Sequence, residues 1–225
     1  MTNILLAWSG GKDAAWTLHT LRQRNDVRVV GLLTTITAGF DRIAMHGIRR
    51  DVLHAQAEAV GLPLIESVIP QSCDNDTYEA SFAAALAIAR ERWPGIDTIA
   101  FGDLQLGDVR AWREALCERH DWKITTPLFG VDTASLARTM IAGGLRTQLC
   151  CIDTEQLDAK FSGRAFDEAL LAELPAGCDP CGENGEFHTL VSDGPVFGRA
   201  LQLERGETVL RDGRFAFTDF TLARM

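Results

Sequence analysis

No run of about eighteen consecutive apolar residues occurs in this 225-residue sequence, so no membrane-spanning helix is expected. No charged segment precedes the first apolar run. Met1-Thr2-Asn3 leads directly into Ile4–Trp8, which reads as a first buried strand rather than a secretory leader. Low-complexity linkers and internal repeats are missing as well, which predicts units packed closely together. Basic residues are in deficit: 22 Lys and Arg against 31 Asp and Glu give a formal net charge of −9. That balance disfavours a general nucleic-acid binder, whose affinity rests on phosphate contacts from a basic face. The five Trp are scattered and form no stacking stripe for single-stranded nucleic acid. The six cysteines (73, 117, 150, 151, 178 and 181) read as reduced thiols in a chain of this size without a leader, and a cytoplasmic location is expected.

What remains is globular in character. Hydrophobic residues make up 46% and charged residues 24%, and the length suits one large α/β domain or a medium domain with a small appendage. Over the first hundred residues, strand-like and helix-like segments alternate. Ile4–Trp8, Val27–Thr35, Leu64–Ile69 and Asp97–Gly102 read as strands; Ala14–Arg24, His46–Val60, Asp76–Arg92 and Asp108–His120 read as helices. Such alternation predicts a parallel sheet covered on both faces, with ligands outside the carboxyl ends of its strands. The loops after Trp8, Thr35 and Gly102 are therefore the ones to inspect. Beyond Pro127 the pattern changes: Thr133–Gly143 and Gly163–Leu174 look helical, Arg146–Ile152 looks like a strand, and Gly turns between Phe187 and Thr221 suggest antiparallel strands. The expected division is 1–130 and 131–225.

Ser9-Gly10-Gly11-Lys12-Asp13 follows the first strand and opens a helix. Two glycines let the backbone turn several N–H groups toward one anion, the helix start adds partial positive charge, and Lys12 adds a full one. Asp13 suits such a cup if Mg²⁺ bridges the phosphates. Neither G-x-x-x-x-G-K-[ST] nor G-x-G-x-x-G is present. His46-Gly47-Ile48-Arg49-Arg50 places a His and an Arg near a helix start, which suits either phosphate or carboxylate contacts or a solvated helix end. Asp103 falls at a strand tip, and Asp108, Arg110, Arg113 and Glu114 share neighbouring turns of one helix, as a ligand site or a surface ion-pair cluster would. Asp179–Thr189 holds three carboxylates, an Asn, a His, a Thr and two glycines in eleven residues. On a strand, Glu186 and His188 would face the same side. Cys178-Asp-Pro-Cys181 is a single C-x-x-C, short of the roughly four ligands a zinc site uses.

The Ser-Gly-Gly-Lys-Asp loop resembles the pyrophosphate loop of N-type ATP pyrophosphatases. Together with Phe101-Gly-Asp103, Pro127-Leu-Phe129, Gly163-Arg164, Cys181-Gly-Glu-Asn-Gly-Glu-Phe-His-Thr189 and Asp193-Gly-Pro195, it resembles the diphthine–ammonia ligase-related ATP pyrophosphatases over almost the whole chain. The resemblance implies a Rossmann-like, HUP-type α/β domain for ATP followed by a smaller α+β domain for the substrate. It implies phosphate and nucleotide contacts from Ser9, Gly10, Gly11, Lys12, Asp13, Thr34, Gly102 and Asp103, with Asp13 and Asp103 serving Mg²⁺. It implies substrate contacts from His46, Arg49, Arg110, Glu183, Asn184, Glu186, His188 and Thr189, with Lys12, Asp13, Glu183, Glu186 and His188 taking part in catalysis. The implied reaction adenylates an unidentified carboxylate, releases pyrophosphate, and passes the acyl group to ammonia or an amine; a homodimer is compatible with it. Departures are Ala14 where the family usually has Ser, Asn184 and His188 in place of a Gly and a Glu, and Asp103 in place of Ala. These variants look like those of bacterial relatives, so the ATP chemistry carries over further than the acceptor does. Two other readings use the same loop: a nucleotide-binding sensor, indifferent to loss of Glu186, and a tRNA-modifying pyrophosphatase, whose tRNA affinity would fall steeply with salt.

Overall fold

The computed structural model describes residues 1–223. Its N-terminal half holds a six-stranded sheet: β1 (Thr2–Ala7), β2 (Val27–Thr37), β3 (Arg42–Ile43), β4 (Leu64–Ile69), β5 (Thr98–Ala100) and β6 (Lys123–Thr125). β1 lies between β2 and β5, β4 pairs along the other side of β2, and β6 borders β5, all parallel. Ile4, Leu5 and Leu6 of β1 are all buried, as expected of a parallel strand covered on both faces. The helices α1 (Lys12–Arg22), α2 (Arg50–Val60), α3 (Asn75–Arg92) and α4 (Gly107–Glu118) connect the strands. After β1 the chain moves outward to β2 and β4, then returns to β5 and β6 on the opposite side. The direction of winding thus reverses beside β1, and a crevice opens there at the carboxyl ends of β1 and β5.

Two local features differ from the sequence expectation. The sheet is not wholly parallel, because β3 pairs antiparallel with the end of β2 through Ile36–Ile43 and Thr37–Arg42. Helix α2 begins at Arg50, not His46: Gly47 (φ 68°) and Met45 (φ 66°) occupy the left-handed region, which a helix start cannot absorb. His46 therefore sits in a turn. Caps close the helices elsewhere: Gly61 ends α2 in the left-handed conformation, and the Asp74 side chain accepts the Thr77 N–H to start α3.

The C-terminal half contributes α5 (Thr133–Ala142) and an antiparallel sheet in the order β8-β7-β10-β9, formed by β7 (Arg146–Asp153), β8 (Phe187–Asp193), β9 (Leu203–Arg211) and β10 (Phe215–Leu222). A separate 3-10 turn at Ala159–Phe161 precedes the helix expected over 163–174, which is reduced to α6 (Glu168–Glu173), capped by Asp167. Pro175 follows closely and stops it. One hydrophobic cluster runs through both halves, from Trp8, Trp16 and Leu53 to Leu149, Phe187, Val191 and Phe220. A second cluster, with Leu5, Phe82, Phe101 and Trp122, fills the far face of the first sheet. Among the described residues no helix is long and apolar enough to cross a membrane.

Candidate functional site

A cavity of about 690 Å³ occupies the crevice beside β1. Its floor is the loop after β1. Gly10 adopts φ 75°, and the loop is held from below rather than left free. Val191 of β8 donates its N–H to the Gly10 carbonyl at 2.9 Å, and Thr189 Oγ1 accepts the Lys12 N–H at 3.0 Å. Gln56 of α2 completes this support: its amide donates to the Gly10 and Val191 carbonyls at 3.0 and 2.7 Å and accepts Trp8 Nε1–H at 3.1 Å. Gly102 lies against the same loop so closely that a Cβ there would stand 3.0–3.1 Å from the backbone of Asp13 and Ala14. Since the Lys12 N–H is spent on Thr189, anion binding falls to the remaining loop donors and the lysine ammonium.

That ammonium is buried. It donates to Asp13 at 2.9 and 3.0 Å and to the Cys181 carbonyl. Burial alone would lower its pKa, but the charges of Asp13 and Glu183 outweigh it and hold Lys12 above its ordinary value. Asp103 faces the same cavity. Arg113 donates to its Oδ1, while its Oδ2 is buried without a partner. Burial raises the Asp103 pKa against the pull of Arg113 and Arg110, and nearby Asp13 raises it further. An orphaned carboxylate oxygen with a second carboxylate nearby is a donor set that suits a Mg²⁺ held mainly by phosphates and water.

One wall is aromatic. Tyr78 and Phe82, one turn apart on α3, lie with Trp112 and Phe101 along the cavity; Tyr78 is 6.1 Å from the Phe82 ring and 5.6 Å from that of Trp112. The opposite wall comes from the C-terminal half. Glu183 accepts the Gln105 N–H at 3.1 Å, joining the two loops across the cavity mouth. Burial and then Asp13 raise the Glu183 pKa. His188 faces His46, their ring centroids 4.6 Å apart. Both are lowered, His188 to about 4, first by burial; the charge of Lys12 adds to this at both rings, and each other's charge does so at His46.

The structure thus gathers Ser9, Lys12, Asp13, Thr34, His46, Gly102, Asp103, Glu183, Asn184, His188 and Thr189 onto one cavity, with Gly10 and Gly11 in the loop beneath it. Thr34 spends its hydroxyl on the Trp8 carbonyl. Three expected residues lie elsewhere. Arg49 pairs with Asp219 of β10, alongside Arg42. Arg110 stacks on Phe129. Glu186 precedes β8 instead of alternating along it; buried, it accepts N–H groups from Asp179, Asn184 and the Asn184 side chain at 2.8–3.0 Å. Its carboxylate shapes the loop and does not reach the cavity. Cys178 and Cys181 are unpaired, with their thiols pushed up to about 12 by burial.

Gln56, Asp153 and Arg214 are absent from the sequence reading. Gln56 had a signal: it is a lone amide on the buried stripe of α2 shared with Val52, Leu53 and Val60. Asp153 and Arg214, a fork at 2.9 and 2.6 Å on the cavity rim, come from the end of β7 and from the turn between β9 and β10, and carry no local motif.

A Rossmann-like sheet whose first loop carries Gly-Gly-Lys-Asp at the switch point defines an α/β protein with its candidate site at the carboxyl ends of the strands. The chain belongs to the diphthamide synthase family: the family model for the diphthamide synthase N-terminal domain matches residues 1–124, and that for the C-terminal domain matches 132–217. It is similar to the diphthine–ammonia ligase of Schizosaccharomyces pombe, with 25% identity over 89% of this chain and 36% of that protein. It is also similar to the diphthine–ammonia ligase of Homo sapiens, with 26% identity over 90% of this chain and 83% of that one. A solved structure described as a predicted subunit of tRNA methyltransferase from Methanocaldococcus jannaschii aligns at TM-score 0.41 and 17% identity, over 66% of this chain and 78% of that one. That likeness is too distant to bear on function.

Proposed function

We propose that this chain is an ATP-dependent amide ligase that forms AMP and pyrophosphate. The supporting observation is the single cavity in which the Ser9–Asp13 loop, an aromatic wall and the 181–189 loop meet. The adenine base fits between Tyr78, Phe82, Phe101 and Trp112, where ring stacking is available. The phosphates then reach the loop and the Lys12 ammonium at its end. An oxygen of the acceptor carboxylate attacks the α-phosphorus, the bond to the bridging oxygen breaks, and pyrophosphate leaves. Lys12 stabilises charge that grows on the phosphoryl oxygens. Asp13 and Asp103 would hold Mg²⁺, which supplies further neutralisation of the phosphates when bound.

Ammonia next attacks the acyl carbon, and AMP departs with the electron pair of the broken carbon–oxygen bond. Glu183 is the residue placed to take the proton of the attacking amine: it lines the cavity, and its raised pKa makes it a better base than an exposed carboxylate. Glu186 acts only by fixing the loop that carries Glu183. The names of the relatives support ammonia as the donor; the acceptor here is a carboxylate-bearing molecule of unassigned identity.

The test uses Mg-ATP labelled on the α-phosphorus, incubated with a cell extract, with and without ammonium. Labelled AMP that depends on extract is the expected product, and Lys12→Ala should slow its formation by about a hundredfold or more, as loss of one charge-stabilising donor does. Labelled ADP in its place would sink the mechanism.

A further inference from the structure

His46 and His188 come from separate parts of the chain, a turn after β3 and the strand β8, and meet inside the cavity with ring centroids 4.6 Å apart and planes 38° to one another. Each is tethered through its backbone: the single Cys150 S–H lies between the two carbonyls, its Sγ 3.3 and 3.4 Å from them, and the His46 N–H donates to the Ala44 carbonyl at 2.8 Å. Both residues line the cavity, and the backbone of Ala44 lies by the His46 ring, where it favours the charged form. Gly11 brings the pair against the phosphate loop, because a Cβ at that position would stand 3.2 Å from His46 Nε2. Thr189, next to His188, accepts the loop's Lys12 N–H. The charged group facing the pair is the Lys12 ammonium, from α1.

We propose that His46 and His188 form a proton-accepting site for the polyphosphate, which takes up a proton as the nucleotide binds and returns it to the departing pyrophosphate. In the free protein both rings are neutral at pH 7, since burial and the Lys12 cation disfavour imidazolium. A polyphosphate on the loop reverses the sign of the local field, and a charged ring becomes the favoured form. Two rings with centroids 4.6 Å apart do not both charge, so one proton is shared by the pair. When the bond between the α-phosphorus and the bridging oxygen breaks, pyrophosphate leaves with that electron pair and accepts this proton. Both rings return to the neutral state. The inference rests on the ATP reading above, but it concerns the charge state of the site and can fail separately.

Isothermal titration with the magnesium complex of α,β-methylene-ATP, which cannot be cleaved between those phosphates, tests it. Titrations at pH 7.5 in buffers of differing ionisation heat should report uptake of about one proton per nucleotide bound. His46→Gln combined with His188→Gln should remove that uptake, and the double variant also measures any proton change of the nucleotide itself. Inorganic pyrophosphate provides a second probe that needs no base contacts. Binding with heats independent of buffer overturns the proton-accepting site alone. Uptake that persists in the double variant does the same. No binding of either probe overturns this inference and the ligase reading together. If the double variant does not fold, the single variants His46→Gln and His188→Gln take its place, and uptake unchanged in both overturns the site.

Discussion

His188 brings an imidazole into the cavity, beside His46 and within the field of Lys12. With its pKa lowered to about 4, the ring stays neutral while an unfolded chain protonates near 6.5. The folded state therefore binds fewer protons below that value, and the stability present above pH 6.5 is lost as pH falls toward 4. The cost reaches about 2 kcal/mol by pH 5 for this residue. Urea unfolding at pH 7.5 and 5.0 should show a smaller acid loss in His188→Gln than in the native protein; equal losses would mean the ring is not held neutral. Site residues were legible in sequence where the motif and the fold coincide, as at Lys12, Asp103 and Glu183. They were misplaced where direction depends on packing. Arg49 and Arg110 have suitable chemistry, but Asp219 and the Phe129 ring claim them first. Glu186 required knowing that β8 begins one residue later, at Phe187.

At the scale of elements, the apolar runs that became β1, β2 and β4 and the longer periodic segments could be read directly. β3 and β6 could not: they have two and three residues, and neither lies in an apolar run like Ile99-Ala100-Phe101, which marked the equally short β5. α6 was overread for a related reason: Gly163–Leu174 has a helical spacing, but the Phe166 N–H pairs with the Thr147 carbonyl and delays helix entry. The element with most influence on the site is α2, through one amide. Gln56 satisfies the Gly10 and Val191 carbonyls and the Trp8 indole at once. Gln56→Leu keeps the volume and strands all three buried groups, at about 1–3 kcal/mol each before relaxation. The expected outcome is a fall in thermal midpoint together with weaker nucleotide affinity. A variant that loses stability but binds nucleotide as tightly as wild type would show that the loop keeps its shape without this support.

Across the whole molecule, the sequence suggested two units, and the family models meet near the same place, at 124 and 132. The interior does not divide there. A single cluster joins Trp8 and Trp16 to Leu149, Phe187 and Phe220, and Arg22 reaches across to the Val196 carbonyl at 2.9 Å. All five tryptophans fall in the first half, between positions 8 and 122, and Trp8 and Trp16 sense the core it shares with the second, whereas circular dichroism weighs the backbone of both. Urea transitions followed by tryptophan fluorescence and by far-ultraviolet circular dichroism should coincide, as expected for one cooperative unit. A fragment ending at residue 130 should show no sharp transition. Two separated transitions, or a cooperatively folding fragment, would contradict this continuity.

The strap from β8 onto the nucleotide loop also sets an order of events in the cell. Residues 9–13 leave the ribosome early, but Thr189 and Val191, which give that loop its shape, are translated some 180 residues later, and β10, which completes the sheet behind them, later still. A nascent chain that has not yet reached β8 therefore carries the Gly-Gly-Lys-Asp motif without the contacts that shape it.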